Sequence, residues 1–152
     1  DCYLAVVGNA AQQALVQDEL RASGQGGRVF FLGALSSVDA AYQAADCLAH
    51  PTLEDVFGMV VLEALAHGLP VVVSSARYCG VAALLHDGED ALLLPDPQDH
   101  HAAAGAIRRV LDDGELRKRL GGQSVEFARE HLWEAIALQQ EAIYHRVAKR
   151  RQ

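Results

Sequence analysis

Two carboxylates eight positions apart, Asp55 and Glu63, are the residues whose types and spacing could do chemistry. An apolar run without proline lies between them and Gly68 follows, which predicts a helix from about Gly58 to just before Gly68. The free N–H groups and positive dipole end of such a helix start attract phosphate. Glu63 lies about one and a half turns further along, where its carboxylate could accept hydrogen bonds from sugar hydroxyls.

Apolar runs and helical patterns alternate along most of the chain, which predicts a Rossmann-like parallel sheet with helices on both faces. The predicted strands, all short and buried, span residues 3–7, 29–32, 47–50, 71–74 and 91–94. The predicted helices span residues 11–21, 38–45, 58–67 and 99–111, then 115–120, 124–131 and 132–151. Gly121-Gly122 is expected to stop the helix at 115–120, and Trp133 and Tyr144 are expected to dock the last one.

Small or polar residues end or follow four of the predicted strands: Gly8, Gly33, Thr52 and Ser75. Ligands in parallel α/β folds bind at the carboxyl ends of the strands. We therefore expect these residues at the same edge as Asp55.

The segment from Asp55 to Glu63 resembles the acid-x7-Glu motif of the retaining GT-B glycosyltransferases of family 4. Other segments fall in the order of that family, namely residues 6–8, 28–33, 44–47, 50–52, 68–72 and 87–94. Within the family, His-Pro-Thr at 50–52 and Cys79-Gly80 are most similar to lipopolysaccharide-core glucosyltransferases. The first acid of the family motif is usually glutamate, whereas this chain has Asp55.

The resemblance implies transfer of a sugar from a nucleotide-diphosphate donor to an acceptor hydroxyl with retained configuration. The implied substrate-binding residues are Asp55, Phe57, Gly58, Met59, Val60, Glu63, Gly33 and Ala34. Asp55 is the implied catalytic residue and binds a sugar hydroxyl near the reaction centre. The helix start at 58–60 would bind the diphosphate, Glu63 the ribose hydroxyls, and the backbone at 33–34 the base. No metal and no cofactor is implied.

Each notable residue has a simpler explanation. Asp55 could cap the following helix, alone or in addition to binding sugar. Phe57 could be an ordinary core aromatic, and Cys79 a structural thiol. Adjacent residues on a helix point about 100° apart, so His100 and His101 are expected to be solvent-exposed rather than metal ligands.

The resemblance covers only the C-terminal domain of a two-domain enzyme and begins at the second strand of that domain. It implies a truncated nucleotide-sugar-binding domain over residues 1–131 and a C-terminal helix over residues 132–152. The acceptor domain and an Arg/Lys pair that neutralises the donor diphosphate would then be missing, so the isolated chain is expected to be inactive. We hypothesise that another strand, from a second chain, fills the place of the first strand in a strand-exchanged homodimer.

Composition limits the other function classes. The chain has 152 residues, 51% of them hydrophobic and 22% charged, which is ordinary for a globular domain. A formal charge of -7 argues against nucleic acid as a main partner. Three cysteines without a disulfide or zinc pattern favour a reducing, cytoplasmic location.

A basic cluster at the C-terminus has two interpretations. It comprises Arg146, Lys149, Arg150 and Arg151. It is a solvated helix end that suits the dipole, or it contacts a partner domain or, as a peripheral site on the inner face, an anionic membrane surface.

The sequence therefore predicts the donor-binding half of a retaining glycosyltransferase that uses a UDP-hexose in cell-envelope glycan synthesis. Two alternatives remain open. One is a non-catalytic nucleotide-sugar-binding or assembly module. The other is a different GT-B enzyme, such as a nucleotide-sugar epimerase.

Overall fold

The computed structural model of the protein describes residues 2–9 and 12–149. They divide into two compact units, Asp1–Ala41 and Tyr42–Gln152. The fold is α/β, with parallel strands flanked by helices as predicted. The strands, and the four helices predicted before residue 112, lie within two residues of their expected bounds.

The first unit contains a two-stranded parallel sheet of β1 (Leu4–Val7) and β2 (Val29–Gly33), joined through α1 (Gln13–Ala22). The prediction that these strands are buried is wrong, since Phe30 is 50% exposed and Leu32 is 46% exposed. Apolar side chains alternate to both sides of a strand, so a sheet of two strands leaves much of that surface open. Helix α2 (Asp39–Ala44) spans the boundary to the second unit.

The second unit contains a separate three-stranded parallel sheet in the order β3-β4-β5, formed by β3 (Leu48–His50), β4 (Val71–Ser74) and β5 (Leu92–Leu94). The five strands therefore form two sheets rather than the single sheet predicted. Among the described strands, β1 pairs only with β2 and β3 only with β4. The strand supplied by a second chain stays a hypothesis.

Both faces of β4 are covered, which makes this strand the centre of the core. Val71 and Val73 pack on one side with residues of α3 (Met59–Ala66) and a 3₁₀ helix (Gly80–Leu84). Val72 packs on the other side with residues of α4 (His100–Asp112) and α5 (Gly114–Glu130). The period of two along a strand explains this division.

Aspartates cap the last two helices of the core. Asp99 accepts hydrogen bonds from the N–H groups of His101 and Ala102 at the start of α4. Asp113 accepts one from Leu116 at the start of α5. Each cap stabilises its helix by about 1 kcal/mol.

Helix α5 runs without interruption through Gly121-Gly122, so the predicted break into helices at 115–120 and 124–131 is wrong. A Cβ on Gly121 would lie 2.6 Å from the carbonyl oxygen of Gly68, just after α3. The glycine therefore permits a close approach of α5 to the chain after α3. Packing therefore explains the glycine at position 121, and helix termination does not.

Helix α6 (Trp133–Lys149) has no buried residue among those described. Trp133 is 79% exposed and Tyr144 is 65% exposed, so the expectation that they dock this helix is wrong. Of the basic cluster, Arg150 and Arg151 lie outside the described residues. No helix in the described part of the chain has the length and hydropathy needed to cross a membrane.

Candidate functional site

The segment between β3 and α3 carries the first motif acid, and β4 fixes its beginning. The fully buried hydroxyl of Ser74 donates a hydrogen bond of 2.7 Å to the carbonyl oxygen of Thr52. A longer contact of 3.5 Å joins the same hydroxyl to the carbonyl oxygen of His50. Because Ser74 ends the central strand, the chain leaving β3 is attached to the rigid core.

The chain around Cys79-Gly80 holds the middle of this segment by backbone hydrogen bonds. Asp55 donates its N–H to Tyr78 at 2.8 Å and accepts from the N–H of Gly80 at 3.1 Å. Phe57 accepts from the N–H of Val81 at 2.7 Å. A Cβ on Gly80 would overlap the carbonyl oxygen of Val56, so only glycine permits this approach. The backbone of Asp55 is therefore held from both sides.

Helix α3 begins at Gly58, as predicted, with Gly58 in the left-handed region at φ +88°. No side chain caps this end, and no described residue accepts a hydrogen bond from the N–H of Met59 or Val60. Two donors at the positive end of the helix dipole are therefore available to a ligand.

The surroundings of position 58 explain why it is glycine. A Cβ there would lie 2.7 Å from Cys79 Sγ and 3.2 Å from Val81 Cγ1. Its direction is thus toward the core, so the absent side chain makes room for Cys79. The positive φ angle and this packing explain the glycine without reference to a phosphate.

Both carboxylate oxygens of Asp55 have protein partners. Oδ2 lies 3.0 Å from Nε2 of His50, and Oδ1 accepts the N–H of Phe57 at 3.2 Å. The second bond closes the turn before Gly58, so Asp55 shapes the loop without capping the first N–H groups of α3. The Asp55 side chain keeps 30% of its surface exposed, and that of His50 keeps 24%.

Opposing effects set the pKa of the Asp55 carboxyl below its ordinary value. Partial burial acts to raise the pKa, since it disfavours the charged form. The hydrogen bond from His50 lowers the pKa, as do the N–H groups of Phe57 and Gly58 and the charge of His50. The lowering effects prevail, and Asp55 is an anionic acceptor at neutral pH.

Glu63 lies on the open side of α3, whereas Val61, Ala64 and Leu65 on its other side are fully buried. The charge of Glu63 is therefore on an exposed side of the helix, although its neighbours in sequence are apolar. The sequence around it is apolar because the opposite side of α3 faces the core, which the spacing of buried residues along the helix explains.

Tyr42 is the protein partner of Glu63. Its hydroxyl donates to Glu63 Oε2 at 2.9 Å, with the carbonyl oxygen of Val60 at 3.4 Å. Its ring stacks on His67, with centroids 5.3 Å apart, at the other end of α3. Burial raises the pKa of Tyr42 well above its usual range, and the hydrogen bond and charge of Glu63 raise it further. Tyr42 therefore stays protonated and donates to the carboxylate.

His50, Asp55 and Cys79 bring three donor atoms within 4.8 Å of one another, and residues 2–9 and 12–149 contain no other such group. Imidazole, carboxylate and thiolate are all ligands that transition metals accept. Here the imidazole already pairs with the carboxylate, and Cys79 Sγ donates to the Phe57 carbonyl oxygen at 3.7 Å. Hydrogen bonds within the protein thus explain the group, and the absence of a metal stays a prediction.

Cys79 is almost fully buried, as expected for a structural thiol. Burial raises the pKa of its thiol, the charge of Asp55 raises it further, and the N–H groups of Val81 and Ala82 oppose this. The thiol is therefore protonated at neutral pH, a poor nucleophile in a packing position.

The remaining predicted site residues are distributed more widely. Phe57 is half-buried against the core beside α3, consistent with its packing role. Gly33 ends β2 in the first unit and Ala34 follows it, so their contact with a base stays a prediction. His100 and His101 are exposed, as expected.

Sequence reasoning missed three residues that hold the two acids, namely His50, Tyr42 and Ser74. His50 had a signal, since it stands in the His-Pro-Thr sequence five residues before Asp55. Tyr42 and Ser74 had none, because their partners lie more than 20 residues away along the chain.

Comparison with known proteins places this geometry in a family. The model of the family described as "Glycosyl transferases group 1" matches residues 1–126. A D-inositol 3-phosphate glycosyltransferase of Corynebacterium glutamicum is 41% identical over 110 residues, 72% of this chain and 26% of that protein. The chain thus spans about a quarter of the length of this relative.

Solved structures share the fold. WaaG, a glycosyltransferase involved in lipopolysaccharide biosynthesis, is 25% identical with a TM-score of 0.76, over 92% of this chain and 36% of that one. HepE of Anabaena, in complex with UDP, is 22% identical with a TM-score of 0.80, over 97% and 41%. The second likeness shows the fold alone. On the family match over residues 1–126 and the identity to its relatives, this chain belongs to the group 1 glycosyl transferases.

Proposed function

We propose that the chain binds the nucleotide-diphosphate sugar of a retaining glycosyltransferase, with a UDP-hexose as the donor. One observation carries the proposal. The uncapped start of α3 lies between two carboxylates, Asp55 and Glu63, that partners within the protein hold in place. Hydrogen-bond donors that bind an anion, with hydrogen-bond acceptors on either side, suit a molecule that has phosphates in its middle and hydroxyl groups at both ends.

In this proposal the diphosphate accepts hydrogen bonds from the N–H groups of Met59 and Val60. The difficult step of sugar transfer is departure of the nucleoside diphosphate, on which negative charge develops. Fixed N–H groups and a helix dipole aimed at that charge stabilise it, usually the largest contribution to catalysis. The anchored turn at Gly58 supports this role because the donors need no rearrangement.

Asp55 is proposed to accept a hydroxyl of the transferred sugar. The two oxygens of an ionised carboxylate offer four acceptor positions, and His50 and the N–H groups of Phe57 and Gly58 use up to three of them. At least one position therefore remains for the sugar. The backbone of Phe57 and Gly58, in the turn before α3, is proposed to line the same sugar-binding position.

Glu63 is proposed to accept the ribose hydroxyls. It lies four residues after Met59, which corresponds to about 6 Å along a helix axis. That spacing suits a diphosphate at the first turn and a ribose at the second. The backbone at Gly33 and Ala34 is proposed to contact the base.

The choice of donor and acceptor rests on the relatives. The Anabaena protein of the same fold holds UDP, so uracil is the first base to test. For the acceptor, His-Pro-Thr at 50–52 and Cys79-Gly80 favour a lipopolysaccharide core, whereas the Corynebacterium relative is named for inositol 3-phosphate. In either case the acceptor would be a hydroxyl group, either of a cell-envelope glycan or of a polyol. We assign the choice between them to an acceptor domain in a longer protein, and we expect the isolated chain to be inactive.

Titration calorimetry of the 152-residue chain against UDP, GDP, ADP and their glucose conjugates tests the proposal. We expect saturable binding of one nucleotide. Glu63→Ala should weaken it by roughly 1.5–3 kcal/mol, the value of a hydrogen bond to a charged group. Asp55→Ala should weaken the nucleotide-sugar more than the nucleotide. Glu54→Ala is the matched control, since Glu54 is an exposed acid adjacent to Asp55.

Three results would contradict the proposal. The first is no binding of any nucleotide, which would favour an assembly module. The second is a loss for Glu54→Ala equal to that for Glu63→Ala, which would indicate a general charge effect. The third is an equal effect of Asp55→Ala on the nucleotide and on its sugar conjugate, which would remove Asp55 from the sugar site.

A further inference from the structure

The imidazole of His50 contacts the first motif acid, and the proposed function has not used this contact. It extends from the end of β3 and meets Asp55 Oδ2 at 3.0 Å. The backbones on both sides of this contact are fixed, by Ser74 near His50 and by Tyr78 and Gly80 at Asp55. The distance between the two side chains is therefore set by the fold.

The short side chain of Asp55 makes this contact consequential. Aspartate has one methylene fewer than the glutamate usual at this motif position, so its carboxylate reaches less far and rotates about fewer bonds. A hydrogen bond from Phe57 to Oδ1 fixes one oxygen, and His50 fixes the other. With both oxygens held, the carboxylate has a single orientation.

We propose that His50 is a positioning residue for the donor sugar, which donates Nε2–H to Asp55 and so directs the remaining acceptor positions of that carboxylate at a sugar hydroxyl. The inference rests on the proposed function. The proton belongs on Nε2 because an ionised carboxylate can only accept. A hexose with a hydroxyl donor at that position is favoured over a deoxy or O-methylated analogue, which would leave the remaining acceptor position of the carboxylate unfilled.

In the described part of the chain, one further histidine, cysteine or acidic side chain lies within 4.8 Å of the pair. Cys79, from the chain before the 3₁₀ helix, carries a buried thiol that donates to the Phe57 carbonyl oxygen. It is neutral at neutral pH and has its own partner. His50 is thus the source of the hydrogen bond that a test must remove.

Calorimetry of UDP and UDP-glucose binding to variants of position 50 in the whole chain tests the inference. His50→Leu keeps a similar volume without a donor. We expect it to weaken UDP-glucose by roughly 2- to 12-fold, the range of one net hydrogen bond, and to leave UDP unchanged. His50→Gln, whose Nε2 amide can donate, should restore most of the affinity. His100→Leu, at an exposed histidine of α4, is the control.

The results separate this inference from the function on which it rests. If Asp55→Ala weakens UDP-glucose selectively and His50→Leu does not, the positioning role is refuted and the donor site stands. If His50→Leu weakens UDP and UDP-glucose equally, or His50→Gln fails to restore binding, the role of His50 is structural. If the wild-type chain binds neither ligand, the proposed function fails and this inference fails with it.

A second readout needs no ligand. Proton–nitrogen NMR correlation of the His50 ring should show a proton on Nε2 in the wild-type chain. In Asp55→Ala the ring loses its acceptor and the tautomers should mix. The Nδ1–H tautomer in the wild type would show that the pair does not form in solution, which overturns the inference.

Discussion

Gly58→Ala tests whether the motif loop, the start of α3 and the buried thiol of Cys79 form one rigid arrangement. The substitution adds a single methyl group at a backbone with φ +88°. That methyl group would point at Cys79 Sγ, 2.7 Å away, and at Val81 Cγ1, 3.2 Å away. Two separate costs follow, one from the backbone and one from packing.

The two costs can be estimated from the geometry. A non-glycine residue held in the left-handed region costs about 1–2 kcal/mol. A contact of 2.7 Å to a buried sulfur forces the neighbours apart, and overpacking of this kind costs about 1–3 kcal/mol. We therefore expect a loss of roughly 2–5 kcal/mol in the free energy of unfolding, a large part of the 5–15 kcal/mol typical of a domain.

Urea unfolding followed by circular dichroism measures this loss, and a double-mutant cycle separates its parts. Cys79→Ala removes the sulfur, so Gly58→Ala should cost less in that background, where the backbone cost and the contact with Val81 remain. Gly105→Ala is the control, since Gly105 lies inside α4 with nothing within 4 Å of its added Cβ. It should stabilise the protein by up to about 1 kcal/mol.

A loss of less than about 1 kcal/mol for Gly58→Ala would contradict these estimates, because the strain of a positive φ angle alone predicts that much. An unchanged cost of Gly58→Ala in the Cys79→Ala background would contradict the packing estimate. In that case the added methyl group does not meet the sulfur. The packing of Cys79 against Gly58 would then be incorrect.

Three further changes test other contacts. Gly121→Ala should lower the urea midpoint, because its Cβ would lie 2.6 Å from a backbone carbonyl oxygen, whereas Gly122→Ala meets nothing within 4 Å and should raise it. Tyr42→Phe should weaken nucleotide binding by less than Glu63→Ala in calorimetry, since it frees the Glu63 carboxylate without removing it; an equal or greater loss would make Tyr42 itself a ligand contact. The pKa of Asp55 is lowered on folding, so its ionised form stabilises the protein above the unfolded pKa of about 3.9, and this stability is lost as pH falls through the folded pKa. Asp55→Asn should therefore flatten the pH dependence of the urea-measured stability below about pH 4.

Local patterns were sufficient to predict the elements of the fold. The helix containing Glu63 followed from an apolar run bounded by two glycines, and Gly58 does begin it. The strand at 71–74 was predicted to the residue, because a buried central strand is a continuous apolar run. These signals depend on residues that are neighbours in sequence.

Contacts between distant segments were beyond the sequence. Gly121-Gly122 read as a stop because glycine weakens helices, yet one of the two is there for the close approach to Gly68. The exposure of Trp133 reflects which surfaces α6 packs against, which its own sequence does not state. At Gly121, packing overrode the weak helix propensity of glycine. For Trp133, the local sequence did not contain the information that decides its exposure.

The two motif acids show the same distinction at the level of function. Their spacing is a property of one segment, but each is held by a different element: Asp55 by a histidine at the end of β3, and Glu63 by a tyrosine from α2. A carboxylate on a flexible loop would lose orientational freedom on binding each ligand, which weakens affinity. Partners that fix both acids beforehand remove that cost. The spacing of the acids is thus a local property of the sequence, whereas we expect the sugar preference to depend on His50, which holds Asp55.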